Sequence, residues 1–173
     1  KLIRRHPHVF GETVVADSNE VKKNWEEIKL SEGRESVLDG VPHKLPALQR
    51  AHRLQEKAAK VGFDWEKKED VWKKVIEEIE EMHEIEKIKS QTSEMETVKE
   101  LNFKLEKEVG DVFFAMVNYA RFLGVNPEDA LRLTNAKFIK RFNYVQLKVK
   151  ETGKAINESN LEEMDKYWNE SKR

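Results

Sequence analysis

Two short acidic patterns carry the chemistry this chain can do. Glu77, Glu78 and Glu81 form EExxE, and Glu108 and Asp111 form ExxD. Positions three apart project side by side on a helix, so each pattern offers a pair of carboxylates on one face. The surrounding residues make these carboxylates unusual. Val71, Val75, Glu78, Met82 and Ile85 step by four, three, four and three, which is one helical stripe. Leu101, Leu105, Glu108, Val112 and Ala115 make a second. In each stripe a single carboxylate stands where an apolar residue belongs. A buried carboxylate without a partner costs several kcal/mol or holds its proton. Two on neighbouring helices ask for a cation. With no cysteine in the chain, ligation by oxygen alone suits Mg²⁺, with Mn²⁺ as the substitute, rather than zinc.

Other polar residues fall near these patterns. Asn118 is seven after Asp111, on the same face, and points toward the same expected cavity. Gly110 sits inside ExxD in mid-helix, which reads either as close approach of a ligand or helix, or as a packing notch. Lys137, Lys140 and Arg141 are cations suited to a polyphosphate. Trp168 either stacks on a base or anchors the last helix. Glu80-x-x-His83 matches half of a carboxylate-bridged di-iron site, but the second ExxH is missing and His83 lies off the acidic face. His6, His8, His43 and His52 show no obvious partner. No GxGxxG, Walker A or GxSxG occurs, so phosphate chemistry here must run on metal and side chains.

The elements that position these groups are helical. The chain has 173 residues, 38% hydrophobic and 38% charged, with only seven Gly and four Pro. That is too few turn residues for an all-β fold. Helices are expected over about 18–32, 46–61, 69–89, 96–123 and 127–151. A last one, carrying Trp168, starts at a Ser159/Glu162 capping box. Asp17 and Glu20 suggest a capping box for the first. Segment 33–44 reads as a linker and 90–95 as a loop. Long helices with short connections pack as an antiparallel bundle. The fold class is all-α.

Net charge is −1, which argues against a general nucleic-acid binder. No apolar run approaches the ~18 residues of a membrane span, and no signal peptide is visible. The expectation is a soluble, cytoplasmic protein. Because it begins at Lys1, a fragment of a longer chain is expected.

An internal repeat bears on organisation. KLIRRHPHV (1–9) parallels KFIKRFNYV (137–145), and EVKKNW (20–25) parallels EMDKYW (163–168), in the same order. Residues 1–44 are therefore expected to be the tail of an upstream copy plus a linker, and 45–173 the catalytic domain.

EExxE followed by ExxD resembles the all-α nucleoside triphosphate pyrophosphohydrolases. The resemblance is closest to the MazG family, through RRHPHVFG (4–11), GFDW (62–65), KVIEEIEE (74–81), EVGDVFFAMVN (108–118) and NAKFIKRF (135–142). The stretch 90–100 looks longer than the usual MazG connection. The resemblance implies Mg²⁺ on Glu78, Glu81, Glu108 and Asp111. It implies nucleotide contacts from Lys74 to Glu78, from Lys104 to Lys107 and from Lys137 to Arg141, and from Trp168. It implies hydrolysis of NTP to NMP and pyrophosphate, with Glu77 or a ligating carboxylate taking the proton of water. A homodimer with broad base acceptance follows from the same likeness. The competing readings are a dUTP-, dCTP- or damaged-nucleotide-specific enzyme of the superfamily, and a non-catalytic helical metal-binding or interaction module.

Overall fold

The computed structural model describes residues 7–10 and 36–172. Apart from a single turn at Pro7–Phe10, the described residues form five α-helices and no strand. These are α1 (Ala47–Ala59), α2 (Lys68–Ser90), α3 (Met95–Phe122), α4 (Pro127–Glu151) and α5 (Leu161–Glu170). The helix expected over 18–32, its Asp17 cap and the N-terminal half of the repeat lie outside the described residues, apart from 7–9. The chain divides into two compact units, one ending at Pro127 and the other beginning at Glu128.

In the first unit, α2 and α3 pack along their lengths, and α1 lies against α3. The few residues between Ser90 and Met95 leave α2 and α3 as antiparallel neighbours. Both stripes face inward as expected. Val71, Val75, Leu101, Ala115 and Val117 are buried, and Val71 and Val75 have at most 1% of their surface exposed. Each such valine contributes about 1.5–3 kcal/mol of apolar burial. Trp72 and Tyr119 join the two helices with their rings tilted at 48° and centroids 5.0 Å apart.

Two glycines stop helices where the site needs loops. Gly62 has φ +86° and Gly124 has φ +70°, left-handed values that favour glycine. In each case the next amide reaches back five residues, Phe63 to Ala58 O at 3.1 Å and Val125 to Ala120 O at 2.9 Å. Pro46 stands just before α1 rather than in its first turn, with φ −49° and ψ 144°, and its carbonyl accepts from the Arg50 N–H at 2.8 Å.

In the second unit, α4 buries Val145 and Val149. Trp168 of α5 meets Phe138 of α4 at 5.3 Å between ring centroids. The capping expectation for α5 needs correcting. Asn160, not Ser159, is the cap, its side-chain oxygen accepting from the Glu163 N–H at 2.9 Å. Ser159 instead donates its hydroxyl to Glu163 Oε2 at 2.8 Å. Ser and Asn are comparable caps, and the chain path places Asn160, extended at φ −89° and ψ 167°, at the cap position.

Candidate functional site

Antiparallel packing of α2 and α3 brings the two acidic patterns together. Carboxylate oxygens of Glu78, Glu81 and Glu108 all lie within 4.8 Å of one another. Glu78 is buried, with 7% of its surface exposed, because it occupies the Val71–Val75 stripe. Lys74, one turn earlier, holds Glu77 and Glu78 at 2.7 Å each. That double contact pushes the Lys74 ammonium well above the usual lysine range, so it stays charged.

Glu81 is exposed on the helix surface, yet its carboxyl rises above the ordinary glutamate value. Partial loss of solvent is the first cause and repulsion from Glu78 the second, with smaller pushes from Glu108 and Glu77. Lys74 opposes them. Three carboxylates this close, with one lysine against them, repel in the absence of a counter-ion. Hard carboxylate oxygens at this spacing suit a divalent cation. The residues present therefore fit the metal that the acidic patterns implied.

Asp111 is exposed and stands outside the trio. It faces an adjoining cavity of about 780 Å³, whose wall also includes Lys74, Glu78 and Asn118. Asn118 is thus placed where its spacing suggested. Gly110 is not a notch: a Cβ there would meet nothing within 4 Å. Lys104 pairs with Glu100 at 2.8 Å, and the Lys107 ammonium sits 4.5 Å over the Phe103 ring. Neither lines the cavity. His83 is exposed, as expected of a flank residue. His43 and His52 do find neighbours. Arg50 Nη2 lies 3.1 Å from His43 Nδ1, and His52 Nδ1 is 4.0 Å from Glu56.

In the second unit, Lys137 and Lys140 are exposed and Arg141 is half-buried. The Arg141 guanidinium lies 5.8 Å from the Trp168 ring, and Phe138 stacks at 5.9 Å on Phe142. Trp168 is half-buried.

Three cavity residues escaped the sequence reading. Gln55 of α1 is 7% exposed and its Nε2 donates to Phe114 O at 2.8 Å. Asp64 pairs through both carboxylate oxygens with Arg121, one contact at 3.0 Å. Arg121 also donates to Asn118 Oδ1 from Nε at 3.0 Å and Nη2 at 2.8 Å. Asp64 was visible only as a letter of GFDW. Nothing in sequence spacing ties it to a residue fifty-seven positions on.

The all-helical scaffold presents EExxE against ExxD across two antiparallel helices, the arrangement that the resemblance to the all-α nucleoside triphosphate pyrophosphohydrolases implied. Residues 66–146 match the MazG nucleotide pyrophosphohydrolase domain. The chain is 42% identical over 178 residues to the nucleoside triphosphate pyrophosphohydrolase of Escherichia coli K12, covering 100% of this chain and 64% of that protein. It is 38% identical to the nucleoside triphosphate pyrophosphohydrolase/pyrophosphatase MazG of Thermotoga maritima, covering 99% and 62%. It is 48% identical to the uncharacterised protein YabN of Bacillus subtilis, covering 99% and 34%. The chain thus carries a MazG nucleotide pyrophosphohydrolase domain over residues 66–146 and is similar over its length to these relatives. It spans less than two thirds of the length of these relatives. No helix among the described residues is long and apolar enough to cross a membrane.

Proposed function

We propose that this chain is an Mg²⁺-dependent nucleoside triphosphate pyrophosphohydrolase of broad base acceptance, with Mn²⁺ able to replace Mg²⁺. The observation that carries the reading is the convergence of Glu78, Glu81 and Glu108 from two helices, with Asp111 beside them. The names of the two enzyme relatives support the same chemistry. Glu78, Glu81, Glu108 and Asp111 would hold the ion. When bound, the ion offsets triphosphate charge and supplies coordinated water.

The chain's own groups then have distinct tasks. Water attacks the α-phosphorus, the bond from the α-phosphorus to the bridging oxygen breaks, and pyrophosphate leaves with that oxygen. Glu77 or a ligating carboxylate takes the proton from water. Lys74 fixes Glu77 and Glu78 in place. Lys104, Lys107, Lys137, Lys140 and Arg141 oppose phosphate charge as it redistributes. Trp168 and Asn118 contact the nucleotide.

We extend the proposal to organisation. Residues 45–173 are the catalytic domain, and 1–44 are the tail of an upstream repeat with its linker. The enzyme works as a cytoplasmic homodimer. Exposed Phe103, Phe113, Phe114 and Met116 on α3 support a partner surface.

The test is pyrophosphate release from ATP, GTP, CTP and UTP, with Mg²⁺ and with EDTA. Release from all four that EDTA abolishes is expected. Release from one base alone would replace broad acceptance by a specific enzyme. No release at all would leave the interaction-module reading.

A further inference from the structure

The stretch before α1 reads as a linker by composition, yet from Ser36 onward it lies folded on α1. Two turns shape it. The Asp39 N–H donates to Ser36 O at 3.1 Å, and the Leu45 N–H donates to Pro42 O at 3.4 Å. The Asp39 carboxylate accepts from the Ser36 N–H at 3.0 Å, and the Ser36 hydroxyl accepts from the Leu38 N–H at 3.1 Å. Between the turns Gly40 takes φ +84°, a left-handed value, and Val41 is buried with 7% of its surface exposed. Pro42 stiffens the chain on the far side by fixing its own φ. Val41 is thus an anchor, and residues 36–40 form a short arm that can turn on Gly40.

Lys57 of α1 holds that arm. Its ammonium donates to Val37 O at 3.1 Å and to Asp39 O at 3.3 Å. Leu38 stands between those two carbonyls and forms part of the cavity wall, beside Leu54 and Ala58 of α1 and Ala115 of α3. It keeps 41% of its surface exposed, so it lies at the rim of the cavity and not in its depth. Other lining residues stand on α1, α2 and α3, or on the 62–65 loop that Asp64 ties to Arg121. Leu38 instead reaches the wall on the arm. His43 lies beyond Val41, so its 3.1 Å contact with Arg50 steadies the anchored end.

We propose that residues 36–40 are a latched arm at the rim of the cavity: Lys57 holds it shut, and release of Lys57 swings Leu38 out and opens that side of the wall. The two Lys57 bonds, one part-buried and one exposed, are a weak tie beside the packing of whole helices. Releasing them hands two turn carbonyls and an ammonium back to water. Val41 stays seated, so no apolar core is lost. Surface turns of this kind open locally at far lower cost than the unit unfolds. The walls made by α1, α2 and α3 cannot widen without unpacking those helices. The arm is therefore the part of the wall that moves first. The latch governs access alone, whatever the cavity admits.

The chain has no cysteine, so one introduced thiol reports access cleanly. Ala115→Cys places it on the cavity wall, where the native residue is 8% exposed. Val75→Cys places it in the helix packing, at a site 0% exposed, where it reports general loosening. The rate of labelling by a bulky maleimide is measured on the whole chain for each thiol, alone and combined with Lys57→Met or Leu38→Ala. No nucleotide or metal is added. On the Ala115→Cys background, Lys57→Met should speed labelling about tenfold, equivalent to ~1.4 kcal/mol of lost closure. Leu38→Ala should speed it too, because it removes the arm's part of the wall without touching the latch. On the Val75→Cys background both changes should leave the rate within about twofold, with circular dichroism showing intact helicity. An unchanged Ala115→Cys rate in Lys57→Met would overturn the latch. An equal rise on both backgrounds would overturn it as well, since the whole unit would then be loosening. So would labelling of Ala115→Cys, with Lys57 intact, as fast as a fully exposed thiol.

Discussion

Replacing Asp64 by Asn isolates the contact that sequence did not show. The change keeps size and shape and removes one charge. Asp64 and Arg121 have 27% and 16% of their side-chain surface exposed, so the pair is neither a surface bridge nor a fully buried one. Exposed pairs contribute about 0.2–1 kcal/mol, and breaking buried ones costs about 3–5 kcal/mol. Arg121 keeps its two contacts to Asn118 after the change, so its guanidinium is not orphaned. The expected loss is therefore about 1–2 kcal/mol, in the range of a charge-assisted hydrogen bond. For a chain of this size that lowers Tm by about 2–8 °C. The assay is urea unfolding of wild type, Asp64→Asn, Arg121→Met and the double variant. The double-mutant cycle should return a coupling energy of about 1–2 kcal/mol. Strict additivity would show that the two side chains do not act on each other, and the account of how the 62–65 loop is held would fall.

Other outcomes follow from the same geometry. Glu78→Gln, Glu81→Gln, Glu108→Gln and Asp111→Asn should each lower metal-dependent turnover by orders of magnitude with helicity intact, read by pyrophosphate release and circular dichroism; near-normal rates in all four would sink the metal site. In EDTA, Glu81 binds its proton more tightly folded than unfolded, because its folded pKa is raised. Its contribution is therefore fully present below the ordinary glutamate value and lost as pH rises through the higher folded value. The Tm advantage of Glu81→Gln over wild type should widen with rising pH across that window, and a gap independent of pH would contradict it. Glu163, held below the ordinary range chiefly by Lys154 and Ser159, acts in the opposite sense. Lys154→Met should remove part of the stability that wild type loses as pH falls through the Glu163 titration, read as a shallower acid limb of Tm against pH. Val75→Ala should cost about 1–3 kcal/mol by urea unfolding, since the side chain is fully buried and leaves a cavity beside Glu78.

Much of this protein was legible in one dimension. Helical class and bounds followed from periodicity and from Gly62 and Gly124, because a helix is a local structure whose face repeats every few residues. The two acidic patterns announced themselves because a carboxylate inside an apolar stripe is costly without a partner, and Glu78 is indeed buried. The cap of α5 slipped by one residue, since Ser159 and Asn160 are both competent caps and only the chain path chooses between them.

Tertiary structure decided the rest. It set Glu81 within reach of Glu108 across two helices, and set Asp111 on the cavity side instead of among the trio. It joined Asp64 to Arg121 and buried Gln55 against Phe114. It set Trp168 against Phe138, while the aromatics lining the cavity are Phe63, Trp65 and Phe114. These are contacts between residues far apart in sequence, formed by how helices lie on one another, and no spacing along the chain encodes them. Sequence determined which residues could do the chemistry because residue type and helical period are local properties. Packing decided which of them share a site because distance in space is not.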